Sequence, residues 1–320
     1  MHLALNSTAR RHMMRALSEC TTTHLDQRLQ HRRATRARRK AAKETARAAE
    51  RSAWADAPPA SEEELHARWE RTAARQQLHA ERERVKQAMR LPWSDAEPGL
   101  RVAIDLGMQE LMVPRELASL ATQVTAVYAQ VLKRCAGQAA WRPLRLALTN
   151  LAGAPETLER IESSAGRLDG WPVHLLQEDY SMSLPALCAP APISIVVLSP
   201  DAAEPLEALH PNCVYVIGGL CDYKRIANAT RERASARDVC CRRLPIREAL
   251  CTAIPVEILT VDQVAIALLE VANNGGDWAR ALLCAVPPRK LRAGFGSAGY
   301  AGGGAGAGTT EVVGGGARTH

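Results

Sequence analysis

Residues 213–225 read "CVYVIGGLCDYKR". An uninterrupted apolar run stops at two glycines, and an aspartate and then two cations follow within six residues. A strand that is apolar on both faces must be covered on both faces, which points to a parallel sheet between layers of helix. "PISIVVLS" (192–199) has the same character. Working outward, "LRVAIDL" (100–106), "LRLALTN" (144–150), "WPVHLL" (171–176) and "DVCCRRLPI" (238–246) are further strand candidates. Between them lie helical patterns: 114–134, with Leu117, Leu120, Ala121, Val124, Val127, Tyr128 and Val131 on one face, then 155–165, 224–236, 260–274 and a last short one in "GDWARALLCAVP". Strands alternating with amphipathic helices predict an α/β fold with a mostly parallel sheet and helices on both faces.

Charge divides the chain. Lys and Arg stand against Asp and Glu at 13 to 4 over residues 1–51, 7 to 9 over 52–97 and 21 to 21 over 98–320, so all of the positive excess behind the net charge of +7 lies in the first segment. That segment is rich in alanine and arginine and poor in large apolar residues, the composition of a solvated helix. Closely spaced cations gain by releasing the counterions around a polynucleotide, so nucleic acid is the expected partner. Residues 61–64, "SEEE", form a capping box that opens a second charged helix. The expected organisation is a basic helical extension over 1–97, a folded α/β domain over 98–290 and a disordered glycine-rich tail over 291–320.

Other classes find little support. No apolar stretch is long enough to span a bilayer, so no membrane partner is expected. The nine cysteines include no C-x-x-C pair and the histidines form no H-E-x-x-H cluster, so the site residues include no metal ligands and free thiols in a reducing compartment are expected. Gly294, Gly296 and Gly299 fit G-x-G-x-x-G, but no strand precedes them and no helix follows. The first eighteen residues combine arginine and serine without an acid, as mitochondrial presequences do, and an RNA-binding arm has the same composition. Nucleus or cytoplasm is the expected location, with the mitochondrion as the alternative.

The glycines Gly218 and Gly219 allow either a tight strand-to-helix turn or close approach of a ligand to the main chain. Asp222 favours the second reading. It is followed by Lys224, Arg225, Arg231, Arg233, Arg237, Arg242, Arg243 and Arg247, and neighbouring cations keep a carboxylate ionised.

"VYVIGGLCD", "LPI" (244–246), "LTVDQV" (259–264), "GDWARAL" with "VPPRK", "RVAIDLGMQELM" (101–112) and "VVLSPDA" (196–202) together resemble the SPOUT-superfamily tRNA methyltransferases that modify N1 of the purine at nucleotide 9. The resemblance implies a C-terminal trefoil knot, S-adenosylmethionine as cofactor and tRNA as partner; a monomer is expected. It assigns the cofactor to Leu198, Ser199, Gly218, Gly219, Val239, Leu244, Pro245, Ile246, Cys251, Thr260 and Gln263, and the general base to Asp222. Guanine N1 carries a proton at neutral pH and needs such a base, whereas adenine N1 does not, so guanine is the expected target and adenine the alternative. RNA contacts are expected from Arg32, Arg33, Arg36, Arg38, Arg39, Lys40 and Lys43 on the arm and from Lys224, Arg225 and Arg231 near the base. Where relatives continue the first strand with a serine-phenylalanine-acid-acid run, this chain has "LGMQE", which leaves Asp105 alone at that strand end in an expected structural role. A non-catalytic RNA-binding subunit on the same scaffold is the alternative to an enzyme.

Overall fold

The computed structural model describes residues 34, 37, 38, 40–49, 61–94, 99–221, 226–250 and 258–287. They fall into two units, Met1–Ala73 and Ala74–His320. In the first, residues 40–49 are helical and exposed throughout, as their composition requires. The capping box forms as expected: Ser61 N–H donates to Glu64 Oε2 at 3.3 Å and Glu64 N–H to Ser61 Oγ at 3.2 Å. The helix it opens is Glu62–Met89.

Among its described residues the second unit has six parallel strands, β1 (Arg101–Asp105), β2 (Arg145–Thr149), β3 (Val173–Leu175), β4 (Ser194–Leu198), β5 (Cys213–Gly218) and β6 (Cys240–Arg242), in the order β3-β2-β1-β5-β4-β6. Alternation along β1 explains why an all-apolar strand belongs here. Val102 and Ile104 enter the larger core with the helices Pro114–Cys135 and Val261–Asn273, while Ala103 enters a second core with Tyr180, Leu184 and Ala234 on the opposite face. The α/β expectation therefore holds, with helix on both sides of the sheet. Val85, Met89 and Trp93 are buried in these cores, so the packed unit takes in residues that the charge pattern had assigned to the extension. Among the described residues no helix is long and apolar enough to cross a membrane.

Two elements differ from expectation. Tyr180–Cys188 is a helix that the sequence hides, because Pro185 lies inside it; Asp179 starts it by accepting the Ser181 N–H at 3.1 Å. The charged helix expected over 224–236 is shorter, Ala229–Ser235, and follows Asn228 in the left-handed conformation. The segments 222–225, 251–257 and 288–320 lie outside the described residues, as does any part of the expected knot that they would form.

Candidate functional site

Parallel strands end on one side of the sheet, and ligands of open α/β sheets bind beyond those ends. Here the C-terminal ends of β4 and β5 border a cavity of about 240 Å³ and an adjoining one of about 90 Å³. Leu198 and Ser199 from the end of β4, Leu244 and Ile246 from the segment after β6, and Leu259 and Val264 from the start of the Val261–Asn273 helix line the larger. Leu198, Leu259 and Val264 also line the smaller, together with Gly218, Leu220 and Thr230. Most of the lining side chains are apolar, and Ser199, Arg243 and Arg247 add polar groups to the larger space. Aliphatic walls suit a flat heterocycle and a guanidinium suits a carboxylate, so this lining is compatible with an adenosyl amino acid.

The expected cofactor residues separate into three groups. Leu198, Ser199, Leu244 and Ile246 meet around the larger cavity, and Gly218 borders the smaller. Gly219, Val239, Pro245, Thr260 and Gln263 line neither. Thr260 and Gln263 form a capping box, with Gln263 Oε1 accepting the Thr260 N–H at 3.2 Å, so both side chains serve the helix end. Val239 lies beside Arg231, Cys240 and Cys241 at a surface hollow, and Pro245 lies beside Pro205 and Trp278 at another. Asp222, Lys224, Arg225, Cys251, Arg32, Arg33, Arg36 and Arg39 lie outside the described residues. Arg38, Lys40 and Lys43 are exposed in the first unit. Arg231 Nη1 donates to the Asp201 carbonyl at 3.3 Å.

The two glycines are required by proximity. A Cβ on Gly218 would lie 2.6 Å from Thr230 Oγ1, and one on Gly219 would lie 2.5 Å from the Asp105 carbonyl oxygen, which accepts the Gly219 N–H at 2.9 Å. The chain turns close against its own backbone there. Gly219→Ala is therefore expected to destabilise the fold by about 1–3 kcal/mol, read as a lower urea midpoint at unchanged slope. An unchanged midpoint would show that this contact relaxes without cost.

The basic field after Asp222 is more neutralised than composition suggests. Arg233 Nε reaches Asp105 Oδ2 and its Nη2 reaches Asp179 Oδ2, both at 2.7 Å. Arg237 also pairs with Asp179, Arg242 with Glu204 and Arg243 with Glu248. Asp105 is only 2% exposed; burial pushes its carboxyl above the ordinary range against the opposing pull of Arg233. At Asp179 burial also opposes charge, but hydrogen bonds from Arg237 and Ser181 outweigh it and hold the carboxyl below its usual value. Asp105 thus has the structural role expected of it.

Sequence reasoning passed over Leu259, Val264 and Thr230, whose side chains carry no signal beyond being apolar or small. It also passed over Gln123, whose Oε1 accepts the Val261 N–H at 2.9 Å and whose Nε2 lies 3.2 Å from Cys221 Sγ, beside the position of Asp222 in the chain.

Comparison with known proteins gives a consistent picture. Residues 17–291 match the family model described as tRNA (guanine(9)-N(1))-methyltransferase TRM10/TRM10A. The chain is 29% identical over 203 residues to tRNA methyltransferase 10 homolog B of Danio rerio, covering 60% of this chain and 59% of that one. It is 31% identical over 200 residues to tRNA (guanine(9)-N1)-methyltransferase of Eremothecium gossypii, covering 61% and 60% respectively. It therefore spans about three fifths of the length of these curated relatives. The solved structure described as full-length spTrm10 with SAH aligns at 25% identity and a TM-score of 0.48, over 59% of this chain and 95% of that one.

Proposed function

Because the chain belongs to the tRNA (guanine(9)-N(1))-methyltransferase TRM10/TRM10A family, we propose that it methylates N1 of guanine at nucleotide 9 of tRNA, with S-adenosylmethionine as the methyl donor. The observation that carries this reading is the convergence of Leu198, Ser199, Leu244 and Ile246, from two segments of the chain, on one cavity at the C-terminal ends of the strands. When bound, the cofactor supplies an electrophilic methyl group on a sulfonium.

The protein's part is to hold, orient and deprotonate. Leu198, Leu244, Ile246, Leu259 and Val264 form the apolar walls for the adenine; Arg243, already paired with Glu248, and Arg247 border the same cavity. Asp222 accepts the guanine N1 proton and frees the lone pair that bonds to the methyl carbon. Its position in sequence supports this role: Leu220 lines the smaller cavity, and two peptide units reach no further than about 7 Å. The exposed Arg38, Lys40 and Lys43 support phosphate contact by the arm, which positions tRNA without reading its sequence. A purine packed inside folded tRNA must leave its stack to reach the cavity.

Val264→Trp tests the location of the pocket. An indole at that position fills the space shared by both cavities, and S-adenosylhomocysteine binding measured by titration calorimetry is expected to weaken by at least about tenfold, with the urea midpoint little changed. Unaltered affinity in a folded variant would place the cofactor elsewhere.

A further inference from the structure

We infer that Asp201 recognises the 2-amino group of the target guanine and so sets the preference for guanine over adenine, an inference that rests on the methyltransferase reading. The smaller cavity adjoins the larger one and shares Leu198, Leu259 and Val264 with it. A purine whose N1 is to meet the methyl donor must enter beside that donor, in contact with it. At about 90 Å³ the smaller cavity takes the edge of a purine rather than the whole ring system. Among the described residues its lining side chains are apolar except for Asp201 and Thr230.

Asp201 is exposed and stands at the rim, held at three points. Its N–H donates to Ser199 Oγ at 3.2 Å, its carbonyl accepts Arg231 Nη1 at 3.3 Å, and its Oδ2 accepts the Asn228 N–H at 2.9 Å. The last contact orients the carboxylate and leaves Oδ1 without a hydrogen-bond partner among the described residues. Thr230 Oγ1 stands over the end of β5, where a Cβ on Gly218 would come within 2.6 Å of it. A carboxylate and a hydroxyl thus border one small space. Enzymes that take a base out of its stack read it by hydrogen bonds to the edge that carries N1. On the two sides of N1, guanine offers a 2-amino donor and the acceptor O6, whereas adenine offers a bare C–H and an amino group. A hydroxyl can donate or accept and so tolerates either purine, but an ionised carboxylate only accepts, and adenine leaves it unpaired. A site built to bond a donor rejects the analogue that lacks it for this reason. Asp201 lines the smaller cavity and not the larger, so cofactor binding should not depend on it.

The test compares full-length wild type and Asp201→Asn on two tRNAs that differ only at nucleotide 9, guanine in one and inosine in the other. Inosine keeps O6 and the N1 proton and lacks the 2-amino group. Asparagine can still accept the Asn228 N–H, but its amide nitrogen then replaces Oδ1 with a donor. For the wild type, kcat/KM for methyl transfer is expected to favour guanine by about 10- to 100-fold. Asp201→Asn is expected to lower the guanine value by a similar factor and to leave the inosine value within about threefold, which abolishes the preference. Affinity for S-adenosylhomocysteine, measured by titration calorimetry, is expected to stay within about twofold in the variant. Equal kcat/KM on guanine and inosine in the wild type would overturn the inference whether or not the variant folds. So would a variant that slows both substrates alike, the mark of a structural role, or one that keeps the wild-type preference. A wild-type protein that methylates neither tRNA would instead overturn the reading beneath it.

Discussion

Replacing Arg233 by alanine is expected to destabilise the protein by about 3–5 kcal/mol near neutral pH, because it leaves a carboxylate buried without its cation. Asp105 is 2% exposed and, among the described residues, its carboxylate has besides Arg233 the Gly107 N–H as partner, which is little compensation for a buried charge. The pH dependence distinguishes this from simple loss of packing. Burial already raises the Asp105 carboxyl above the ordinary range, and removing Arg233 removes the main opposing influence. A folded-state pKa above the unfolded one means that the folded protein binds more protons between the two values, and stability then falls as pH rises through that window. The deficit of Arg233→Ala should accordingly be small near the unfolded carboxylate value of about 4 and grow towards neutrality. Urea midpoints of variant and wild type at several pH values between these limits measure it. A deficit that does not change with pH would mean that Asp105 is not the group left exposed to the cost.

Asp222→Asn is expected to reduce guanine methylation by about 10²- to 10⁴-fold, the usual contribution of a positioned general base. The amide matches the carboxylate in shape but cannot take the N1 proton at neutral pH. Binding of tRNA and of S-adenosylhomocysteine should persist, since the cavity walls and the arm are untouched. The same variant assayed on tRNA with adenine at nucleotide 9 should lose much less of whatever activity the wild type has there, because adenine N1 already offers a lone pair. Equal loss on both purines would shift Asp222 from proton acceptor to a binding role.

Much of this architecture can be read from the chain itself. Runs such as "ISIVVL" and "VYVIG" report burial on two faces directly, and the Pro114–Cys135 helix buries the expected face from Leu117 to Val131. The helix containing Pro185 was hidden because its one intrahelical proline outweighs a short, evenly apolar pattern, while the Asp179 cap that rescues it is a single residue. Leu198, Ser199 and Gly218 were expected beside a ligand because strand ends are where ligands gather, and the structure places them at the two cavities. Thr260 and Gln263 carry a second signal: T-x-x-Q is itself a capping signature, and in the structure the helix uses it. The neutralisation of the basic field was beyond sequence reading altogether. Arg233 meets Asp105 across 128 positions of chain, and nothing local to either residue announces the pairing.

The most direct measurement follows a labelled methyl group. Full-length protein is incubated with methyl-labelled S-adenosylmethionine and tRNA bearing guanine at nucleotide 9, and the digested RNA is mapped by mass spectrometry. One label on N1 of that guanine, absent when nucleotide 9 is a pyrimidine, is the predicted result. Protein that binds S-adenosylhomocysteine yet labels no tRNA, or that labels a different nucleotide, would contradict it.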